Sequence, residues 1–333
     1  MAYPEYKTPK YDIPYYEDNT RISNSAIGWF LNKGPAYLRR MLDGKEQGLD
    51  LPQLRKGTMI HEFLLQPEEF WNDYVLFEGE KPKSTQAQKF CENLINTVEI
   101  ELNKQLSDAY RKSYSIVGKS EDKILAEALK LSVEYKDYIE AIKSHKTLIS
   151  EYDFNTLKTI RRNIGEHKLA GRLLRRAGDH GSIHVYHEFQ INWNNCGVPC
   201  KSLLDSCSFD WDNKTCTIMD LKTTAKLWRF ENSIEEFDYL RQLLFYREAV
   251  CEYLKTTLKL HDDDFYEWKF KLYIIAIDTI GSHEIRVFDL TSNRYNVVNI
   301  YNAIYDIRWH MEHNKWEHSR TYYEGDGSET LNL

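Results

Sequence analysis

Residues 205–223 read DSCSFDWDNKTCTIMDLKT. Two runs of strand-forming residues flank the polar turn Trp211-Asp212-Asn213-Lys214, which predicts a hairpin. Closing that hairpin sets Asp205 opposite Asp220. Strand side chains alternate between faces, so Asp220 and Lys222 point the same way and Leu221 points the other way, into a core. Two carboxylates and one ammonium are thereby expected on one patch of a sheet.

Working outward, 183–193 (IHVYHEFQINW) alternates as a strand and CGVPCKSLLDSCSF forms a second, with TCTIMDLKT as the third. A long amphipathic helix is predicted over SIEEFDYLRQLLFYREAVCEYLK, then strands over WKFKLYIIAIDT and HEIRVFDL, then a closing helix over TSNRYNVVNIYNAIYDIRWHMEH. The N-terminal half reads differently. Residues 1–20 are rich in Tyr and Pro and extended, and cap-type residues open a helix at SNSAIGWFLNKGPAYLRRML. A polar loop at 43–53 precedes a second helix, GTMIHEFLLQPEEF, ended by Pro67, and 84–148 and most of 150–178 are helical in pattern. The expected organisation is an extended segment (1–20), a helical region (21–180), a β-β-β-α-β-β-α core (181–313) and a tail (314–333). In class terms this is α/β (α+β), a central mixed sheet flanked by helices, with a largely helical N-terminal half. No internal repeat or low-complexity segment interrupts it.

The chain has 333 residues, 42% hydrophobic and 29% charged, the make-up of a soluble globule. No apolar run approaches a membrane span and the N-terminus lacks a signal-peptide core, so an intracellular, cytoplasmic protein without a membrane partner is expected. Of six cysteines, Cys196, Cys200, Cys207 and Cys216 are clustered. They contain no CxxC pair, and Cys91 and Cys251 stand apart. Reduced, partly buried thiols fit better than a zinc site, and no iron–sulfur cluster is expected. A net charge of −7 argues against a general nucleic-acid binder. Yet Lys158, Arg161, Arg162, Lys168, Arg172, Arg175 and Arg176 fall within nineteen residues that hold one acid, Glu166. That stretch is either a basic face for a phosphate backbone or a solvated amphipathic helix.

Each candidate site residue has two readings. Asp205 ends an apolar run, where a buried carboxylate needs a cation or donors; otherwise it is a hairpin-end acid facing water. Asp220 and Lys222 belong to a catalytic group or form a surface ion pair. Glu188, on the first strand, is a third acid or a solvent-facing one. By alternation it shares a face with His184 and Tyr186. Gln242 and Tyr246 lie one turn apart on the helix after the third strand, on a face with Tyr239, either at the site or packed into the core. His61 sits four residues after Gly57 at a helix start. It could supply a nitrogen ligand or be structural, and the glycine permits close approach of backbone or phosphate. Together these groups suit divalent-cation-assisted phosphodiester hydrolysis, with carboxylates for the cation and a lysine beside the attacking water, its pKa lowered near the metal.

The order GTMIH, Glu188, Asp205, DLKT, QLLFY resembles the PD-(D/E)XK nuclease superfamily, with its restriction-endonuclease-like core. More narrowly it is similar to the RecB-like and RecE-type group of phage and prophage exonucleases, to which lambda-type exonuclease is related. ISNSAIGWFLNKGPAYLRRML, LRKGTMIHEFLLQPEEF and KPKSTQAQKF also resemble segments of such proteins. The similarity covers roughly residues 20–310. It implies a Mg²⁺-dependent DNA exonuclease for recombination or repair, with Mn²⁺ as a substitute. It assigns the metal to Asp205, Asp220, the Leu221 carbonyl and His61, and the water to Lys222. Gln242 and Tyr246 brace the site and contact DNA, and Glu188 is a recurrent strand acid. DNA binding is placed on Arg161, Arg162, Lys168, Arg172, Arg175 and Arg176. Double-stranded ends, a single-strand annealing protein and a homo-oligomer are the implied partners. Two departures stand out: SLL replaces a Gly-Arg-Ile type run before Asp205, and YIIAIDT lacks a Glu-Lys pair. The alternatives are a catalytically silent nuclease-fold DNA-binding or assembly module and a structure-specific endonuclease.

Overall fold

The computed structural model describes residues 3–46, 51–97, 101–260, 265–292 and 297–328. Helices α1 (Asn24–Lys33), α2 (Pro35–Leu42) and α3 (Pro52–Leu65) open the chain. Next come α4 (Phe70–Asp73), β1 (Tyr74–Leu76), α5 (Thr85–Asn96), α6 (Leu102–Ser113), α7 (Glu121–Glu134), α8 (Lys136–Ile142), β2 (Thr147–Ile149), α9 (Glu151–Glu166) and α10 (Ala170–Leu173). The remainder is β3 (Gly178–His180), β4 (Ile183–Asn195), β5 (Val198–Asp210), β6 (Thr215–Thr224), α11 (Phe230–Glu236), α12 (Tyr239–Thr256), β7 (Lys269–Asp278), β8 (Ile285–Asp289), α13 (Val298–His313) and α14 (Arg320–Glu324). No helix among the described residues is long and apolar enough to cross a membrane.

Two compact units form, Met1–Gln66 with Ile160–Leu333, and Pro67–Thr159. The second unit has its own core of Phe90, Cys91, Leu106, Tyr110, Ile124 and Tyr138, with β1 and β2 paired in parallel. The first unit holds the mixed sheet, in the order β3-β4-β5-β6-β7-β8. All neighbours run antiparallel except β6 and β7. The parallel pair is the sheet's buried middle. Ile218, Met219, Asp220 and Leu221 on β6 are each at most 2% exposed, and Ile274, Ile275, Ala276 and Ile277 on β7 are at 0%. A strand covered on both faces needs such an unbroken apolar run, which makes the acid at position 220 conspicuous.

The hairpin forms as its turn residues dictate. Asp210 Oδ1 accepts from the Asn213 amide at 3.1 Å, and Lys214 takes a left-handed φ of 44°, so the chain reverses and β5 pairs with β6. On one face of the sheet lies α12, with Leu243, Phe245, Ala249 and Val250 in the core. Its rings meet those of β4: Phe189 stands edge-on to Tyr253 at 5.3 Å, and Trp193 lies 4.9 Å from Phe245.

Several elements differ from the sequence expectation. The helix predicted over 233–255 is two, because Asp238 adopts φ 51° and caps α12 by accepting from the Arg241 amide at 3.3 Å. Gly34, at φ 80°, likewise divides α1 from α2. Helix α3 begins at Pro52, inside the stretch read as loop, since proline suits a first helical position. Strands β1, β2 and β3 have three residues each, too few for alternation to reveal. The closing helix starts at Val298, and 293–296, within its expected span, lie outside the described residues.

The alternation expected along β4 breaks at Glu188, which has a left-handed φ of 46°. Core side chains run Tyr186, then Phe189, Ile191 and Trp193, a step of three where the pleat requires two. Strand β5 makes the same step, from Leu204 to Cys207. These residues pair across the strands, Phe189 with Leu204 and Tyr186 with Cys207. Both strands therefore change phase together, and Glu188 and Asp205 occupy the opposed positions at the break. A left-handed conformation at a non-glycine residue costs of order 1–3 kcal/mol. That strain is stored where two acids face each other.

Candidate active site

Asp205, Asp220, Lys222, His61, Gln242 and Tyr246 come together at the junction of β5, β6, α3 and α12. Asp205 Oδ2 accepts from the Leu221 amide at 2.6 Å and lies 3.6 Å from His61 Nδ1. The Leu221 carbonyl lies against the His61 ring. Asp220, 2% exposed, pairs through Oδ2 with the Lys222 ammonium. Its Oδ1 accepts from Gln242 Nε2 at 3.1 Å, and the same nitrogen donates to the Tyr246 hydroxyl at 2.8 Å. Lys222 also sits over the Tyr239 ring, 4.8 Å from its centre. Tyr246 is 7% exposed, so it braces Gln242 from inside.

Close packing of α3 on β6 places His61. At Gly57 a Cβ would come within 3.0 Å of Thr223 Oγ1. The close approach that the glycine permits is thus to the Thr223 side chain of the neighbouring strand.

Burial and crowded charge set the protonation. Desolvation raises Asp220 to about 6, against the pull of Lys222 and helped by the Asp205 charge. Asp205 is raised by desolvation, which Lys222 and the Leu221 amide oppose. Glu188 is pushed up to about 8, by desolvation first and then by Asp205, Asp220 and Glu62. His61 falls to about 4, through desolvation and the neighbouring Lys222 charge, so it is neutral at pH 7 with a ring nitrogen able to act as a ligand. Burial alone would lower Lys222, but Asp220 and Asp205 outweigh it and raise its pKa. With these two carboxylates beside it, Lys222 stays protonated.

Sequence reasoning passed over three contributors. Glu62 follows His61 on α3 and has a buried Oε2 without a hydrogen bond; its charge acts on Glu188. Tyr16, an exposed residue, has its pKa raised by partial desolvation and by the Glu188, Asp205 and Glu62 charges. Tyr15 belongs to the same segment. The Lys201 ammonium donates to the Tyr15 and Asp18 carbonyls, both at 2.6 Å, and fixes this turn against β5. The one sequence signal for the set was the acid beside His61.

The predicted basic residues differ in what they touch. Arg161 donates to the Phe63 carbonyl and stacks on the Phe63 ring at 3.9 Å, so its charge fastens α9 to α3. Arg162 pairs loosely with Glu166 at 3.9 Å. Lys168, Arg172, Arg175 and Arg176 follow α9, and of these Arg172 and Arg175 line a cavity on the sheet. The thiols of Cys91, Cys200, Cys207 and Cys216 are buried and unpaired by disulfides. Cys207 and Cys216 lie with sulfurs 3.6 Å apart.

For a divalent cation the donor chemistry fits. The carboxylates of buried Asp220 and half-buried Asp205, with Glu188 near by, repel one another, and a hard cation with oxygen ligands relieves that repulsion. The present side-chain placement does not close around an ion. Among the described residues no three His, Cys, Asp or Glu side chains are grouped to hold a metal. Asp220 Oδ2 is instead occupied by Lys222, with which a cation would compete.

No family model matches the chain, and no curated protein does. Among solved structures it is similar to a protein from Eubacterium rectale that carries the provisional name exonuclease. The identity is 12%, the TM-score 0.45, and the match covers 97% of this chain and 89% of the other.

Proposed function

We propose that this chain is a Mg²⁺-dependent deoxyribonuclease, of the PD-(D/E)XK type that its sequence resembles, acting on DNA ends in phage or prophage recombination or repair. The observation that carries the reading is the convergence of Asp205, Asp220, Lys222 and His61 in one buried group braced by Gln242 and Tyr246. Asp205, Asp220, the Leu221 carbonyl and His61 would hold the cation, for which Mn²⁺ could substitute. Bound there, it supplies Lewis acidity, neutralising charge on the phosphoryl group and lowering the pKa of water.

The chain's own residues supply the rest. Lys222, kept protonated by its two carboxylates, places a positive charge beside the position of the attacking water and offsets the negative charge that grows on the phosphoryl group. Gln242 fixes the Asp220 carboxylate through Oδ1 and is itself fixed by Tyr246, so Asp220 cannot rotate away. Glu188, raised to about 8 by desolvation and by the neighbouring acid charges, adds a third carboxyl group beside Asp205 and Asp220. His61 is neutral and donates no charge of its own.

A second reading has one observation in its favour. Lys222 pairs with Asp220 Oδ2, an ion pair complete in itself, as in a silent nuclease-fold module that binds DNA without cutting it. Incubating the purified protein with linear and with covalently closed circular DNA, in Mg²⁺ and in EDTA, separates the readings. The proposal expects the linear form alone to be degraded, and in Mg²⁺ alone. Cutting of the circle would show an endonuclease, and binding without cutting would show the silent module.

A further inference from the structure

On the face of the sheet away from α12, four residues stand in one register row across four strands. Val185 pairs with Ser208, Ser208 with Thr217, and Thr217 with Lys271. They floor a cavity of about 240 Å³ whose wall includes Arg172 and Arg175, from α10 and the segment after it. Three cations thus surround three hydroxyl residues, Ser208, Thr215 and Thr217, of which Thr215 already donates to the Asn213 carbonyl at 3.1 Å. The one acid on the lining, Asp210, has both oxygens engaged by Asn213, at 3.1 and 2.9 Å.

Arg172, Arg175 and Lys271 outnumber the acids they meet, Asp210 on the lining and Asp289 beside Lys271, and in a chain of net charge −7 such a cluster is not a consequence of composition. Its chemistry selects the ligand. Arginine forks present paired N–H donors that match phosphate oxygens, lysine adds a point charge, and hydroxyls can donate to the remaining oxygens. At about 240 Å³ the cavity is smaller than the ~300–1,000 Å³ typical of a whole small-molecule ligand, so it suits one group of a longer chain.

Its position separates it from the acid centre. Ser208 and Thr217 lie three residues from Asp205 and Asp220 along the same two strands, about 10 Å at roughly 3.3 Å per residue. Between them, Ser206 and Met219 are 2% and 1% exposed and close the way through the protein. We propose that this cavity binds a backbone phosphate of DNA remote from the bond that is cut, with Arg172, Arg175 and Lys271 neutralising it and Ser208 and Thr217 orienting it. The inference rests on the nuclease reading for its ligand, but the site does not share that reading's residues.

The test is DNA affinity against salt. A duplex with a fluorescent label would be titrated with the wild type and with an Arg172→Gln, Arg175→Gln, Lys271→Gln triple variant, in Ca²⁺ to suppress cutting. Melting temperatures would verify folding, and Ser208→Ala with Thr217→Val serves as a second, charge-neutral variant. Because a cation that contacts phosphate contributes about 0.9 to the slope of log K against log salt, the triple variant is expected to show a clearly shallower slope. The hydroxyl variant is expected to bind more weakly with the slope unchanged. Inorganic phosphate in competition distinguishes a site for the free ion from one for the DNA backbone. If millimolar phosphate displaces no DNA while the triple variant loses slope, the backbone is the ligand; if it displaces DNA equally from both proteins, the cavity is not the contact. An unaltered slope in a folded triple variant overturns the inference and leaves the nuclease reading standing. A wild type that binds DNA through the cavity but never cuts it overturns the nuclease reading alone, and one that does not bind DNA overturns both.

Discussion

At one end of the β5–β6 hairpin Asp205 and Asp220 are buried beside Lys222; at the turn end Ser208 and Thr217 open onto Arg172, Arg175 and Lys271. The same two strands carry both, a few residues apart. At the acid end, desolvation and mutual repulsion push the carboxylates up, Asp220 to about 6 and nearby Glu188 to about 8, even with the Lys222 ammonium paired to Asp220. At the turn end Arg172, Arg175 and Lys271 outnumber the one lining acid, Asp210, an excess of positive charge that suits an anion. On the proposed function, one sheet divides the handling of a phosphodiester substrate, with chemistry where charge is enclosed and grip where charge is exposed.

The comparison breaks most sharply at Lys222. Lys222→Ala is expected to lower Mg²⁺-dependent cleavage of linear DNA by about 10²–10³-fold or more, the range for losing a group that stabilises developing charge. Circular dichroism should show the fold intact. Cleavage at the wild-type rate would remove the acid end from the mechanism.

Protonation at Glu188 gives the next largest effect. Its pKa is raised from 4.5 to about 8 in the fold. Between those values the folded state keeps a proton that the unfolded state loses, so metal-free stability should fall as pH rises from about 4.5 to 8. Glu188→Gln should flatten that part of the thermal-melt profile, being more stable than wild type by up to about 4 kcal/mol at pH 8 and little different at pH 4.5. A variant with the wild-type pH dependence would show that Glu188 is not held protonated.

A smaller effect is expected at Gly57. Alanine is the better helix former by about 1 kcal/mol, yet its methyl group would meet Thr223 Oγ1 at 3.0 Å and move α3, and with it His61. Gly57→Ala should therefore reduce cleavage without a gain in melting temperature, and Thr223→Ala in the same chain should restore both. Failure of that rescue would mean that α3 does not set the position of His61.

Much of the acid end was legible because its signals are local. A polar turn between two runs of period two fixed the hairpin, and DLK on the second run placed Asp220 and Lys222 on one side of Leu221. The phase change at Glu188 was not, because a single left-handed residue leaves the strand pattern otherwise intact. Its trace in the sequence is the three-residue step from Tyr186 to Phe189, repeated from Leu204 to Cys207. Glu62 was hidden for another reason: on a helix its neighbour His61 drew the reading, and burial of one oxygen is not a property of residue type. The basic residues show the limit from the other side. Arg161 and Arg175 look alike in sequence, but one is stacked on Phe63 and the other lines the open cavity. That distinction belongs to packing.

The claim that the acid end is built for a divalent cation is tested most directly by calorimetric titration of Mg²⁺ and Mn²⁺ into the DNA-free protein, beside an Asp205→Asn, Asp220→Asn double variant. Saturable binding in the wild type that disappears in the folded double variant is the predicted result. Equal binding by both proteins, or none by either, would contradict it.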